Sequence, residues 1–168
     1  MRRKTVDNLI LSLNSWENGL ARLGECIVQF QRIEDCLSMT ISGLIGRTRQ
    51  IGSIVTSEMS YRTRISVFSA LFQYHLHCEV LPEDIVDLTK RLHWAEEQRN
   101  ILVHSLWDLN EKQPGLIVRK KKAIRKKVFT VTVETLTPDD LDDLNRLFEG
   151  IITDLDYLTS QYLPKIKI

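Results

Sequence analysis

The sequence predicts a mainly α-helical fold, a four-helix bundle with a small antiparallel β insertion before the last helix. Three observations lead to this prediction: long stretches with apolar residues at helical spacing, one stretch in which apolar and polar residues alternate, and prolines or glycines where elements should begin or end. With 168 residues, of which 43% are hydrophobic and 27% charged, the chain has the composition of a single globular domain over residues 1–168.

The first helix is predicted over residues 16–46, because residues there repeat at alternating spacings of four and three. All positions of this seam are apolar except Glu34, and Gly46 ends the pattern. The seam consists of Trp16, Leu20, Leu23, Ile27, Phe30, Glu34, Leu37, Ile41 and Leu44.

Three further helices are predicted over residues 57–77, 82–105 and 137–164. The first of these carries a stripe of aromatic and aliphatic residues at helical spacing. The second begins with Pro82, which suits a first helical position, and two carboxylates follow it. The last begins at Thr137, an N-cap residue type that is again followed by a proline and two carboxylates.

Between the last two helices the pattern changes from helical spacing to alternation. Residues 128–134 alternate between apolar and polar, and the apolar residues 116–118 follow a turn at 110–115. A second turn is expected near 122–125. The pattern therefore predicts a small antiparallel sheet of two or three strands, a β-hairpin insertion at about residues 107–136.

This insertion is strongly basic. Seven of the nine residues from 119 to 127 are cationic although the chain's net charge is only +1, so the rest of the molecule is net acidic. The seven cations are Arg119, Lys120, Lys121, Lys122, Arg125, Lys126 and Lys127. They are predicted to bind RNA phosphates by counterion release; the alternative is a solvated hairpin whose lysines keep the sheet edges from pairing. Nearby aromatic residues are scarce, so base-specific recognition is not predicted.

Arg99 falls in the middle of the apolar stripe of the third helix. A lone guanidinium is costly to bury, so we expect it to pair with Glu34, directly or through one water. The alternative is an ion pair that only fixes helix register. The opposite, polar face of this helix carries Asn100 and His104, about 40° apart, while Arg99 and His104 differ by about 140°. The arginine would have to curl around the helix to act together with the histidine.

Residues 99–104 read Arg-Asn-Ile-Leu-Val-His, which resembles the R-N-x-x-x-H motif of HEPN ribonucleases. In that family an arginine, often followed by a polar residue, precedes a histidine late in an amphipathic helix of an α-helical bundle. The resemblance covers roughly residues 14–107 and 137–163. It implies a compact helical domain that forms a homodimer, with the motif helices of two copies meeting in a cleft. The basic insertion is not part of the general pattern and leaves the subfamily open.

The resemblance also implies a metal-independent endoribonuclease of the toxin or phage-defence type, with no cofactor. Cleavage by attack of a 2′-hydroxyl on its own phosphate needs proton transfer and a cation beside the crowded phosphorus. The imidazole of His104 can transfer the proton and the guanidinium of Arg99 can bind the phosphate oxygens. Asn100 can orient His104 or the phosphate, and Glu34 joins the predicted catalytic set through its pairing with Arg99.

Two other interpretations stay open. One is a catalytically inactive HEPN-like helical module that binds a protein partner or RNA, and the other is an unrelated helical bundle in which the motif is a coincidence. The expected partners are RNA, a second copy of the chain, and a cognate antitoxin or other protein.

The cysteines and the apolar runs suggest where the protein is located. Three cysteines without close spacing favour reduced thiols and a cytoplasmic location, and no apolar run is long enough to span a membrane. His75, His77 and Cys78 lack a second ligand pair, so they are expected at a helix end rather than in a zinc site.

Overall fold

In the computed structural model of this chain, the described backbone comprises residues 2–46, 48–110, 113, 116–125 and 128–162. The side chains of 2–15, 109 and 122–129 lie outside the description. Over the described residues the chain is mainly helical, with a three-stranded antiparallel sheet before the last helix. The predicted class and the predicted position of the sheet are confirmed.

Five helices and three strands follow one another in the described part of the chain. Their bounds are α1 Arg2–Leu44, α2 Arg49–Ser57, α3 Tyr61–Leu76, α4 Glu83–His104, β1 Leu106–Leu109, β2 Ile117–Arg125, β3 Val128–Leu136 and α5 Pro138–Tyr162. The sequence predicted four helices, so α2 is an addition.

Helix α1 is longer than predicted, because it begins at Arg2 rather than near residue 16. It ends at Leu44, and Gly46 adopts a left-handed φ of 66° that closes the turn after the helix. The predicted seam is buried in the second half of the helix, from Phe30 onward with the exception of the half-buried Glu34. In the first half the seam residue Leu20 is 42% exposed.

The predicted helix over 57–77 is wrong at its start. Ser57 ends α2, and a new helix begins at Tyr61, after Ser60. The Ser60 hydroxyl accepts a hydrogen bond from the backbone N–H of Thr63 at 3.1 Å, which satisfies one of the free donors at the helix start. Helix α3 ends where His77 takes a left-handed φ of 49°.

The sheet has the order β1-β2-β3, with both pairs antiparallel. The turn predicted near 122–125 is wrong, because these residues belong to β2, whose register with β3 runs without interruption to the pair Arg125–Val128. Most residues of β3 are β-branched, and such residues favour a strand. β3 therefore stays extended, and β2 pairs with it over its whole length. Strand β1 pairs only with residues 117–120, so the rest of β2 pairs with β3 alone.

The described chain divides into two compact units, and the first comprises Met1–Val28 and Arg99–Arg146. It contains the N-terminal part of α1, the end of α4, the whole sheet and the start of α5. Gly19 of α1 lies so close to Ile117 of β2 that a Cβ there would come within 2.7 Å of the isoleucine Cγ2. Arg22 of α1 forms an ion pair with Asp142 of α5.

Helix α5 begins in this first unit as the sequence predicted. The backbone N–H of Asp140 donates to the Thr137 hydroxyl at 3.2 Å, and the N–H of Thr137 donates to the Asp140 carboxylate at 2.7 Å. This reciprocal pair caps the helix start. The hydrogen bonds from Thr137 lower the pKa of Asp140, because they favour its charged form.

The second unit comprises Gln29–Gln98 and Leu147–Ile168. Its core contains buried aromatic rings from α1, α3 and α5: the Phe30 and Phe148 centroids lie 6.1 Å apart, and those of Phe68 and Phe72 lie 4.9 Å apart. On its surface Arg91 of α4 binds Asp154 of α5 at 2.6 Å.

Candidate functional site

The apolar stripe of α4 is buried as predicted as far as Leu102, and only in part beyond it. Its buried members are Ile85, Leu88, Leu92, Ala95 and Leu102. Val103, which the helical wheel also placed on the stripe, is 48% exposed. Leu106 is 52% exposed and belongs to β1. The helix therefore leaves the core over its last turn, where the motif residues lie.

Arg99 is half-buried, and its side chain reaches the residue that follows it. Its Nη1 donates a hydrogen bond to the Oδ1 of Asn100 at 3.0 Å. Asn100 and His104 are separated by four residues and share one helix face. The guanidinium therefore lies beside a residue that shares a helix face with the histidine.

His104 is the last residue of α4, and its side chain is exposed. The chain beside it is held by two hydrogen bonds back to the helix. The Ser105 hydroxyl donates to the carbonyl of Ile101 at 2.6 Å, and the Trp107 indole donates to the carbonyl of Leu102 at 2.9 Å. Both bonds satisfy carbonyls that the end of a helix leaves without partners. The imidazole thus faces solvent from a well-anchored corner.

Part of the predicted basic segment lies beside this corner. Leu106, two residues after His104, pairs with Lys120, and Trp107 pairs with Arg119. Arg119 forms an ion pair with Glu134, and Lys120 binds Asp108 at 2.8 Å. The side chain of Lys121 is exposed.

The other predicted RNA-binding residues are described only in part. Lys122 and Arg125 belong to β2, but their side chains lie outside the description. Lys126 and Lys127 lie outside the described residues altogether. Among the predicted functional residues, the first unit therefore brings together Arg99, Asn100, His104 and the cationic part of β2.

Glu34 belongs to the second unit, and the cation beside it there is Arg64 of α3. The Arg64 Nη1 lies 3.9 Å from the Glu34 Oε1, and the two side chains are 17% and 29% exposed. Glu34 therefore has a cation beside it within its own unit. The pairing of Glu34 with Arg99 stays a prediction.

Tyr61 marks a cluster of polar groups that the sequence analysis missed. The residue is 8% exposed, its ring centroid lies 4.9 Å from that of Phe30, and its hydroxyl has no hydrogen-bond partner among the described residues. Burial raises the pKa of Tyr61, and the charges of Glu34 and Glu96 raise it further. Tyr61 and Arg64 are three residues apart on one helix. This spacing already indicates in the sequence that the two side chains lie close together.

His75, His77 and Cys26 occupy structural positions in the fold. The His75 Nε2 lies 2.6 Å from the carbonyl oxygen of Leu44, and His77 caps the end of α3, which confirms the prediction of a helix end. Burial raises the pKa of Cys26 to about 12. Within the described ranges, no group of three or more His, Cys, Asp and Glu residues is placed to hold a metal ion.

Comparison with known proteins returned no match to any protein-family model, any curated protein or any solved structure. None of the helices in the described part of the chain has the length and apolar character needed to cross a membrane.

Proposed function

We propose that this protein is a metal-independent endoribonuclease with a HEPN-type helical bundle. In this proposal Arg99, Asn100 and His104 form the catalytic site, and the cationic part of β2 binds the RNA backbone. The observation that carries the proposal is the hydrogen bond from Arg99 to Asn100 at 3.0 Å. This bond holds the guanidinium beside a residue that shares a helix face with the exposed His104, in the unit that also contains β2.

The chemistry needs a proton-transfer group and a cation of the kinds that this corner of the molecule carries. The 2′-oxygen of a ribose attacks the adjacent phosphorus, and the bond from phosphorus to the 5′-oxygen breaks. The products are a 2′,3′-cyclic phosphate and a 5′-hydroxyl. His104 transfers a proton in this reaction, Arg99 binds the non-bridging phosphate oxygens, and the Asn100 side chain holds the guanidinium in place.

The substrate proposed is single-stranded RNA or a tRNA loop, bound through its phosphates. Lys120 and Lys121 lie on β2 where β1 begins, two residues after His104. The exposed residues of β3 beside them are aliphatic or hydroxylated rather than aromatic, so they offer no stacking platform for bases. Cleavage is therefore expected to depend little on base identity and strongly on salt.

A homodimer is part of the proposal. The reaction takes a proton from the 2′-hydroxyl and gives one to the leaving oxygen, whereas each copy contributes one motif imidazole. A two-fold arrangement brings a second His104 to the same cleft. Glu34 enters the proposal only through its predicted pairing with Arg99. A cognate antitoxin or other protein is the proposed partner that restrains the activity.

The test is RNA cleavage in the presence of EDTA by the wild type and by His104→Ala. The matched control is His93→Ala, because His93 is an exposed histidine on the same helix. The wild type and the control should release fragments that end in a 2′,3′-cyclic phosphate. His104→Ala should be at least about 100-fold slower, which is the usual size of a lost general acid or base. RNA with a 2′-deoxyribose at the cleaved position should stay intact.

Variants of Asn100 test its positioning role. Asn100→Ala should slow cleavage at saturating RNA, whereas Asn100→Asp should restore most of the rate because a carboxylate oxygen can accept the same bond from Arg99. Cleavage by His104→Ala at the wild-type rate would contradict the proposal. If the wild type fails to cleave any substrate, the inactive HEPN-like module is supported instead.

A further inference from the structure

Strand β3 forms an open edge of the sheet. It is nine residues long, pairs with β2 on one side, and has no described strand on the other. All side chains from residue 130 to 135 are exposed, including Val131 at 47% and Val133 at 58%. Strands at a sheet edge usually carry lysine, proline or a bulge that prevents further pairing. β3 contains no proline, glycine or lysine, and its register with β2 is continuous.

The charges beside this edge indicate which kind of strand it would accept. Thr132, a small side chain, is the cross-strand partner of Lys121. A strand added outside β3 would lie about 10 Å from β2, because neighbouring strands are spaced by about 4.8 Å. Lys121 can lean over Thr132 and reach a carboxylate on the added strand. Its neighbours Arg119 and Lys120 are engaged by Glu134 and Asp108.

We propose that the outer edge of β3 binds an extended acidic segment of a partner protein as a fourth antiparallel strand. Opposite Val131 and Val133 the segment carries aliphatic residues, and opposite Thr132 it carries a carboxylate that pairs with Lys121. The proposal goes beyond the ribonuclease activity and does not depend on it.

A second copy of the chain fits this edge less well. Two β3 strands that pair antiparallel about Thr132 would place threonine opposite threonine. Pairing about Val133 would offer Lys121 only Glu134, which already forms an ion pair with Arg119 of its own copy. RNA fits less well too, since a sugar-phosphate backbone does not offer the alternating N–H and C=O groups of a strand. The exposed valines also provide no aromatic surface for bases.

The probe is a fluorescein-labelled, terminally blocked peptide, Thr-Val-Glu-Val-Glu-Thr. One control peptide has lysine in place of both glutamates, and another is N-methylated at alternate amides so that it cannot form a strand ladder. Binding is followed by fluorescence anisotropy, and hydrogen exchange of the β3 amides is followed by NMR. Lys121→Ala tests the ion pair, and Lys90→Ala removes an exposed lysine of α4 as the matched control.

The first peptide should bind saturably and slow exchange of the outward-facing β3 amides at least tenfold. Both control peptides should bind at least tenfold more weakly, and Lys121→Ala should weaken binding several-fold while Lys90→Ala changes nothing. His104→Ala should bind like the wild type, which separates this test from that of the ribonuclease.

Three results would overturn the proposal. One is a lack of strand-specific binding, which would appear either as equal binding of the N-methylated peptide or as no saturable binding of any peptide at about millimolar concentration. Another is protection of β3 without peptide that increases with protein concentration, because a second copy would then occupy the edge. The third is protection of the same amides by a uridine oligonucleotide but not by the peptide, which would make the edge an RNA surface.

Discussion

At the scale of single residues, the amide of Asn100 is a contact of the Arg99 guanidinium. An arginine side chain has many rotamers, and on an ideal helix Arg99 points about 140° away from His104. A hydrogen bond of 3.0 Å to the neighbouring amide favours rotamers that keep the charged group beside Asn100, which shares a helix face with His104. The polar residue that follows the arginine thus has a defined physical role, which a list of charged residues would not show.

Tyr61 provides a prediction at the same scale. Its hydroxyl is buried without a hydrogen-bond partner among the described residues, whereas its ring packs against Phe30. A buried polar group without a partner is destabilising, so Tyr61→Phe should raise the free energy of unfolding by about 1 kcal/mol. Urea unfolding measures this change. Tyr74→Phe, at a side chain that is 70% exposed, should leave stability within about 0.5 kcal/mol of the wild type. A clear loss of stability in Tyr61→Phe would show that the hydroxyl does have a partner.

Glu34 shows what a residue pattern can and cannot predict. Its place on the apolar seam of α1 correctly indicated a carboxylate that is partly buried and needs a cation. The identity of that cation depends on how α3 lies against α1, and no periodicity within one helix contains that information. Arg64 lies on α3, a helix that the sequence predicted without assigning this residue a side or a partner.

At the scale of elements, α2 explains most of the error in the helix count. Its apolar residues Ile51, Ile54 and Val55 are exposed at 44%, 72% and 41%, while the small residues Gly52 and Thr56 are buried. The apolar residues of α2 therefore lie on the exposed side of the helix, and its small residues lie on the side that packs. Methods that assign the apolar face to the core cannot find such a helix, whereas α3, α4 and α5 follow the rule and were found.

Gly52 gives α2 a testable dependence on close packing. A Cβ at this position would overlap the side chain of Ser42 on α1 and come within 3.0 Å of its Cα. Gly52→Ala should therefore lower the free energy of unfolding by about 1–3 kcal/mol. Gly150 of α5 is the matched control, because a Cβ there meets none of the described atoms within 4 Å. Gly150→Ala should stabilise the protein by about 0.5–1 kcal/mol, since alanine favours helix. Denaturant unfolding should therefore show a loss of stability for Gly52→Ala and a gain for Gly150→Ala. A gain of stability in both variants would contradict the packing of α2 on α1.

At the scale of the whole molecule, positive charge is concentrated in one place. The net charge is +1, yet seven cations fall within residues 119–127. The remainder is net acidic and repels a polyanion, so RNA should approach only through the sheet. The concentration of charge was evident in the sequence. Its position beside His104 was not, because it depends on the register that pairs Leu106 with Lys120.

The salt dependence of RNA binding tests this arrangement. For single strands the logarithm of the binding constant changes with the logarithm of salt by about 0.7 for each phosphate contacted. The double variant Lys120→Ala/Lys121→Ala should reduce that slope by about 1.4, because each lysine is proposed to contact one phosphate, Lys120 by exchanging its exposed contact with Asp108 for it. Lys90→Ala/Arg146→Ala removes the same charge from exposed helix positions and should leave the slope unchanged. Filter binding at several salt concentrations provides the measurement, and equal slopes in the two double variants would exclude β2 as the RNA surface.

The division of the chain into two units could not be predicted from the sequence. Helices α1, α4 and α5 each contribute residues to both units without any break in their periodicity. Sequence patterns reveal a boundary when a linker rich in glycine or proline marks it, and no such linker interrupts these helices. The class of the fold can be predicted from patterns within short stretches of sequence. The grouping of the elements into units depends on contacts between residues that are distant in the sequence.

The short length of β1 has a consequence for the cations of β2. Beyond residue 120 the sheet narrows to two strands, and a two-stranded ribbon coils more tightly than a wider sheet. The backbone of β2 there is therefore expected to twist more strongly than it does beside β1. For the RNA binding proposed above, a strand that twists in this way is expected to suit a flexible single strand better than a rigid, straight duplex.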